Sequence, residues 1–134
     1  MLTLPSLTKA DAWAHSLPVR FRISPAPACE ITLSWGGSTV TVSALVDSGA
    51  SGTLIPQSVA TTLSLPKIGE RRVRLFWPPR LKAIYRVDVD FWGLILQDHA
   101  VAPSEDRPYA LIGRDVLNRY RTLLDGPALE FSVQ

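Results

Sequence analysis

The sequence predicts a mostly β domain with two short helices, arranged as a closed or folded-over sheet. From Leu17 onward, short runs rich in β-branched and aromatic residues alternate with Pro, Gly and Ser. A chain of 134 residues, 46% of them hydrophobic, suits one domain with one hydrophobic core. We therefore expect an N-terminal arm over residues 1–16, followed by a single domain over residues 17–134.

The predicted strands are runs in which apolar and polar residues alternate, or in which apolar residues lie between turn residues. They are residues 19–23, 30–35, 39–46, 53–55, 73–77, 81–90, 94–96, 100–101 and 128–133. Gly36-Gly37 separates two of these runs and tolerates the positive φ that a tight hairpin turn needs. Pro78-Pro79 separates two others, so a second, longer hairpin is expected there.

Two segments predict helices. The first begins at Pro56, a residue that fits the first turn of a helix because its missing N–H costs nothing there, and ends at about Leu63. The second covers residues 113–120. No internal repeat, linker or low-complexity tract divides the chain, which agrees with a single domain.

Composition excludes several classes of protein. The hydrophobic fraction is too high for a disordered chain, and the longest uncharged apolar runs are too short to cross a bilayer. The N-terminus lacks a basic segment followed by a long apolar core, so no secretion signal is predicted. The single cysteine, Cys29, excludes an intrachain disulfide framework, and neither His15 nor His99 lies in a metal-ligand pattern. We expect a soluble, cytoplasmic protein without a cofactor, a metal or a membrane partner, in which both histidines are structural.

The segment with the clearest chemistry is the turn after residues 39–46. There an apolar strand places the carboxylate of Asp47 directly into a Ser-Gly turn. A buried carboxylate needs compensating hydrogen bonds. Ser48 supplies a hydroxyl group, and Gly49 permits close approach of the backbone. On the tripeptide alone, an ordinary β-turn after a strand is the commoner interpretation, because Asp, Ser and Gly all favour turns.

The surroundings of this turn resemble a known family. The apolar-apolar-Asp-Ser-Gly-Ala segment at residues 45–50 resembles the active-site loop of the retroviral-type aspartic proteases, the retropepsins. Downstream, an apolar run followed by Gly113, Arg114 and Asp115 resembles the segment that leads into that family's C-terminal helix. One hairpin lies between the two segments, as it does in the family. The resemblance covers roughly residues 17–133 and implies an all-β, retropepsin-like acid-protease barrel.

The resemblance implies an aspartic endopeptidase that acts as a symmetric homodimer on peptide or protein substrates. Because one carboxylate cannot serve as both base and acid, Asp47 from each of two subunits would form the catalytic dyad and share one proton. Ser48 and Gly49 would support the dyad, through a hydroxyl that bonds across the interface and through backbone atoms offered to substrate. Ala50 stands where many acid-optimum relatives carry a hydroxyl residue, which implies a mildly acidic pH optimum. No metal or covalent intermediate is needed.

Two positions depart from the family pattern. Ser51 stands where retroviral enzymes carry an acid, so Arg114 is expected to pair with Asp115 or with an acid elsewhere. The hairpin over residues 71–90 would cover the substrate, but its tip has two prolines in place of glycines. Prolines restrict φ and remove N–H donors, so this flap would be stiffer or would grip substrate through its aromatic residues. Ordinary cross-strand packing of those aromatic residues is an equal alternative. The tip residues are Phe76, Trp77, Pro78, Pro79 and Arg80.

Two other functions remain open. A retropepsin-like barrel without turnover would serve as a dimerisation or peptide-binding module, although such a module has little use for a costly carboxylate pair. Between Lys67 and Arg86, seven basic residues accompany one acid, Glu70. This basic hairpin could bind single-stranded nucleic acid by charge and stacking, but charge runs are also common on solvated faces. A nucleic-acid partner is therefore the least favoured of the three.

Overall fold

The computed structural model describes residues 17–20, 27–73, 78–91, 93–128 and 130–133. These residues form ten strands and two short helices. The strands are Leu17–Arg20 (β1), Ala28–Trp35 (β2), Ser38–Val46 (β3), Leu54–Pro56 (β4), Lys67–Val73 (β5), Arg80–Phe91 (β6), Leu94–Ser104 (β7), Ala110–Ile112 (β8), Thr122–Asp125 (β9) and Glu130–Val133 (β10). The helices are Gln57–Thr62 (α1) and Arg114–Leu117 (α2).

Six strands close into a barrel, which confirms the predicted fold class. Their order is β2-β3-β8-β4-β7-β6, and β6 returns to pair with β2. Pairs β3–β8 and β4–β7 are parallel, whereas β2–β3, β4–β8, β6–β7 and β2–β6 are antiparallel. β5 pairs antiparallel with β6 and lies outside the ring. The closed ring leaves few unpaired strand edges around the core.

The main core fills the barrel. Alternate residues of β2 and β6 point into it, and Leu33, Val87, Val89 and Phe91 are fully buried. Farther back along β6 the buried side changes, and Ile84 joins a smaller apolar cluster. That cluster contains Leu54, Ile84, Ala102 and Leu111. Ile84 of the β5–β6 hairpin thus packs against residues of β4, β7 and β8, and this contact supports the hairpin.

The two predicted hairpins are present. Gly36 and Gly37 join β2 to β3 with φ values of 57° and 83°, so both residues of the turn need the left-handed backbone that glycine favours. The β5–β6 hairpin continues at least to the pair formed by residues 73 and 80. Of its predicted tip, Phe76 and Trp77 lie outside the described residues. Pro78 is exposed, Pro79 is half-buried and Arg80 begins β6.

Several elements differ from the sequence prediction. Residues 94–96 and 100–101 belong to one strand, β7, which has a bulge opposite β6 where Asp98 takes a φ of 52°. The predicted helix over 113–120 is shorter, and β9 was not predicted. Neither helix in the described part of the chain has the length and apolar character required to span a bilayer.

A separate three-stranded sheet joins the two ends of the domain. Its order is β1-β10-β9, so β10 is paired on both sides and β9 is an edge strand. Leu123 and Leu124 of β9 are 43% and 58% exposed. The predicted arm over residues 1–16 lies outside the described residues.

Candidate active site

Asp47 lies at the end of the barrel, where β3 runs parallel to β8. The pairing Val46↔Ile112 ends the two strands together, and the Asp47 amide then donates to the Ile112 carbonyl at 2.9 Å. The chain next turns back: the Gly49 amide donates to Asp47 Oδ1 at 2.9 Å, and the Ala50 amide donates to the Asp47 carbonyl at 3.2 Å. These bonds hold a half-buried carboxylate at the rim of the barrel.

The two segments singled out in the sequence meet in the structure. The Arg114 amide donates to the Ala50 carbonyl at 2.8 Å. A Cβ atom on Gly113 would lie 2.5 Å from the Gly52 carbonyl oxygen and 3.0 Å from that of Ala50. Glycine is needed at residue 113 because the two backbones touch there. Gly49 has a milder constraint, since a Cβ would lie 3.1 Å from Asp47 Oδ1.

Arg114 makes a different contact from the ion pair with Asp115 that was one expectation. Arg114 Nη1 donates to the carbonyl oxygen of Ser48 at 2.9 Å, and within the described ranges this guanidinium has no ion pair. Asp115 cannot serve it because that carboxylate is occupied by other groups. Arg114 thus braces the turn through a backbone carbonyl, and the side chain of Ser48 stays exposed.

The Asp115 carboxylate is the centre of a hydrogen-bond network. Oδ1 accepts from the Thr53 hydroxyl at 2.8 Å and from the Val116 amide at 2.9 Å. Oδ2 accepts from the Thr53 amide at 3.1 Å and lies 2.8 Å from Nε2 of His99. The Thr53 hydroxyl in turn accepts from the Gly113 amide at 3.2 Å. Both ends of the loop after Asp47 are therefore tied to the segment after β8.

This network sets the protonation of Asp115. Burial alone would raise the pKa of its carboxyl group, but the hydrogen bonds from His99 and Thr53 outweigh burial and hold the pKa below 3.8. His99 is 8% exposed. The sequence analysis did not connect Thr53 and His99 to the site. Thr53 directly follows the Asp-Ser-Gly loop in the sequence, so its position could have indicated a role there. No residue pattern near His99 indicates a link to the site.

Two cavities border the loop, one at each of its ends. One, of about 530 Å³, is lined by Asp47 and Ser48 together with Arg114 and with Thr122 and Leu124 of β9. The other, of about 390 Å³, is lined by Ser51 and Gly52 together with residues of β5, β7 and the segment around α2. The loop therefore separates a space beside the terminal sheet from a space beneath the β5–β6 hairpin.

Comparison with known families shows which family the chain belongs to. Residues 31–116 match a family model described as "Aspartyl protease", and this span includes the Asp47 loop and the Gly113–Asp115 segment. The chain belongs to the aspartyl protease family. No curated protein matches it by sequence.

Solved structures of other aspartyl proteases share the fold. A retropepsin-like aspartic protease from Rickettsia conorii matches with a TM-score of 0.65 and 15% identity, covering 88% of this chain and 89% of that one. EIAV protease in complex with an inhibitor matches with a TM-score of 0.59 and 17% identity, covering 75% and 93%. A foamy viral protease-reverse transcriptase matches with a TM-score of 0.54 and 18% identity, covering 72% of this chain and 12% of that one. This member of the aspartyl protease family therefore has the retropepsin-like barrel that its sequence predicts.

Proposed function

We propose that this chain is an aspartic endopeptidase, which hydrolyses peptide bonds with a water molecule activated between the Asp47 carboxylates of two subunits. The observation that carries the proposal is the half-buried Asp47 carboxylate at the barrel rim, braced by the Gly49 amide, in a chain that matches the aspartyl protease family. The Ser48 hydroxyl and the backbone of Gly49 and Ala50 are the proposed supports of this carboxylate.

The chemistry requires two carboxylates in different protonation states. The ionised one accepts a proton from water as the water oxygen attacks the peptide carbonyl carbon, and the protonated one donates to the carbonyl oxygen. The carboxyl that gained a proton from water then donates it to the nitrogen of the tetrahedral diol, while the other carboxylate takes a proton back from a diol hydroxyl. The C–N bond breaks and releases the amine and the carboxylic acid. Two like charges in contact cannot both ionise cheaply, so the pair holds a single proton. Each subunit has one Asp-Ser-Gly loop, hence the proposal of a homodimer.

The terminal sheet supports this dimer and suggests which strand lies at its interface. β10 is already paired on both sides, so the free edges of this sheet are β1 and β9. Leu124 of β9 is exposed and borders the same cavity as Asp47. The Thr122 hydroxyl also lines that cavity and is buried without a hydrogen-bond partner among the residues described. A second copy that covers β9 would bring its own Asp47 to the same side of the barrel.

The β5–β6 hairpin is the proposed cover over the substrate. Arg71 of this hairpin lines the same cavity as residues 51–52 of the loop, whereas β9 of the terminal sheet lines the cavity at Asp47 and Ser48. Its tip, residues 76–80, would contact the peptide, and Pro78 and Pro79 would limit how far the tip bends. The Gly113–Asp115 segment is proposed to position the loop without touching substrate, and residues 17–134 are the proposed protease domain.

The test is cleavage of a mixed peptide library by the unmodified chain, by Asp47→Asn and by Asp90→Asn, across pH 3–8. Asp90 is the matched control because it is also half-buried and its Oδ1 also accepts a backbone amide, that of Gly93. We expect cleavage with a mildly acidic optimum by the unmodified chain and by Asp90→Asn, and none by Asp47→Asn. Molecular mass in solution is measured on the same samples, and we expect the fractions that cleave peptide to have the mass of a dimer.

Two outcomes would contradict the proposal. Cleavage that survives in Asp47→Asn would mean that another group performs the chemistry. A stable dimer that cuts no peptide in either form would identify a peptide-binding module with the same fold.

A further inference from the structure

The β5–β6 hairpin turns a basic face toward the barrel. Residues directly opposite each other in an antiparallel pair point to the same side, and sides alternate along each strand. Ile84 packs in the apolar cluster below the hairpin, and Lys82, two residues before it, is only 5% exposed. Arg71 lies directly opposite Lys82. Arg71 therefore projects from the inner face, whereas Arg72 pairs with the exposed Leu81 on the outer face.

Two of the cations on this face, Lys82 and Arg71, are in different states. Lys82 Nζ lies 2.9 Å from Glu105 Oε1, so its charge is neutralised. The guanidinium of Arg71 has no ion pair or hydrogen bond with any other residue in the described part of the chain. Its Nη2 atom reaches over the loop, 3.3 Å from the place that a Cβ of Gly52 would occupy. The hairpin thus holds above the loop that follows Asp47 a guanidinium that none of the described residues pairs with.

No carboxylate on the loop compensates this charge. From Ser48 to Thr53 the loop has no acidic residue, and Glu70 of β5 pairs with Lys67. Two carboxylates border the cavity below Arg71 from its other sides. One is Asp115, whose oxygens are occupied, and the other is Asp98, which also borders a separate cavity beside Trp35. Arg119 lines the same cavity, and its Nε atom donates a hydrogen bond to the Asp115 carbonyl oxygen.

We infer that Arg71 selects peptides with an acidic side chain, by binding an Asp or Glu carboxylate where the peptide passes between the hairpin and residues 51–52. A guanidinium donates two parallel hydrogen bonds to a carboxylate, which gives geometric selection as well as attraction. The inference rests on the proposed function, because it requires substrate to lie between the loop and the hairpin.

The test measures binding, so that it does not depend on turnover. Full-length Asp47→Asn protein is titrated into fluorescein-labelled short peptides in which one position at a time is Glu, Gln or Lys. We expect one position at which Glu binds about tenfold more tightly than Gln, as for one charge-assisted hydrogen bond at a partly exposed site. Adding Arg71→Gln should remove that preference, and Arg71→Glu should reverse it toward Lys. Adding Arg72→Gln, which removes the same charge from the outer face, should leave the preference intact.

The outcomes separate this inference from the proposed function. Equal affinity for Glu and Gln peptides at every position, or a preference that survives Arg71→Gln, would overturn the inference. Absence of binding to every peptide would overturn it as well. Peptide cleavage by the unmodified chain without any charge preference would support the protease proposal while refuting the role of Arg71. Charge-selective binding without cleavage would support the role of Arg71 and refute the protease proposal.

Discussion

Replacing Asp115 with alanine removes the carboxylate that ties the loop after Asp47 to the segment after β8. The substitution takes away the acceptor for the Thr53 hydroxyl at 2.8 Å, for the Thr53 amide at 3.1 Å and for His99 Nε2 at 2.8 Å. Thr53 is 1% exposed and His99 is 8% exposed, so bulk water reaches neither group readily. The variant therefore leaves buried polar groups without partners.

The expected loss of stability follows from the number of hydrogen-bond donors that are left unpaired. A buried donor without an acceptor costs about 1–3 kcal/mol. The Thr53 hydroxyl can rotate, but the Thr53 amide and the His99 ring are fixed by the strands that carry them. Two fixed donors at this cost predict a fall of about 2–6 kcal/mol in the free energy of unfolding. Against a typical total of about 5–15 kcal/mol, this is a large fraction.

Urea unfolding at pH 7, followed by tryptophan fluorescence, measures this difference. Glu30→Ala is the control, because it removes an exposed carboxylate from β2 and should change stability by less than about 0.5 kcal/mol. A loss below about 1 kcal/mol for Asp115→Ala would refute the reasoning, since it would mean that water or a rearranged loop satisfies Thr53 and His99.

Two further predictions concern the same segment. Because hydrogen bonds hold the pKa of Asp115 below 3.8, its ionised form stabilises the native state above the unfolded pKa, and this contribution is lost as pH falls through the native pKa. Urea midpoints measured from pH 6 to pH 2 should fall more steeply for the unmodified chain than for Asp115→Asn, and equal slopes would contradict the assignment. Gly113→Ala should destabilise by about 2–3 kcal/mol because its Cβ would lie 2.5 Å from the Gly52 oxygen. Gly126→Ala meets no atom within 4 Å and should cost far less, so similar losses for the two variants would argue against the close backbone contact.

The features that the sequence predicted correctly have local causes. Two consecutive glycines make a tight hairpin turn between alternating strands, because few other residues accept two positive φ values in succession. The fold class follows from the density of short strands. The Asp47 loop and the Gly113–Asp115 segment were recognisable because each is a compact run of residues.

The features that the sequence did not predict depend on distant partners. β7 looked like two separate runs because the bulge at Asp98 interrupts its alternation, and only the pairing with β6 shows that the strand continues. β9 has no buried face, so no hydrophobic pattern marks it, and its pairing with β10 defines it. His99 reaches Asp115 across 16 residues of sequence, which no local pattern could indicate.

The bracing of the Asp47 turn also has a consequence for how the protein matures. Arg114 contacts the Ser48 carbonyl across 66 positions of sequence, and the β3–β8 pairing beneath it is equally non-local. Contacts of this kind form late, because a long loop must close before they contribute any stability. A nascent chain whose residues 110–115 are still inside the ribosome already contains Asp47. It lacks the Arg114 contact and the β8 pairing that hold the Asp47 turn in place. The braced turn is therefore a product of completed synthesis, and any fragment that ends before Ile112 lacks it.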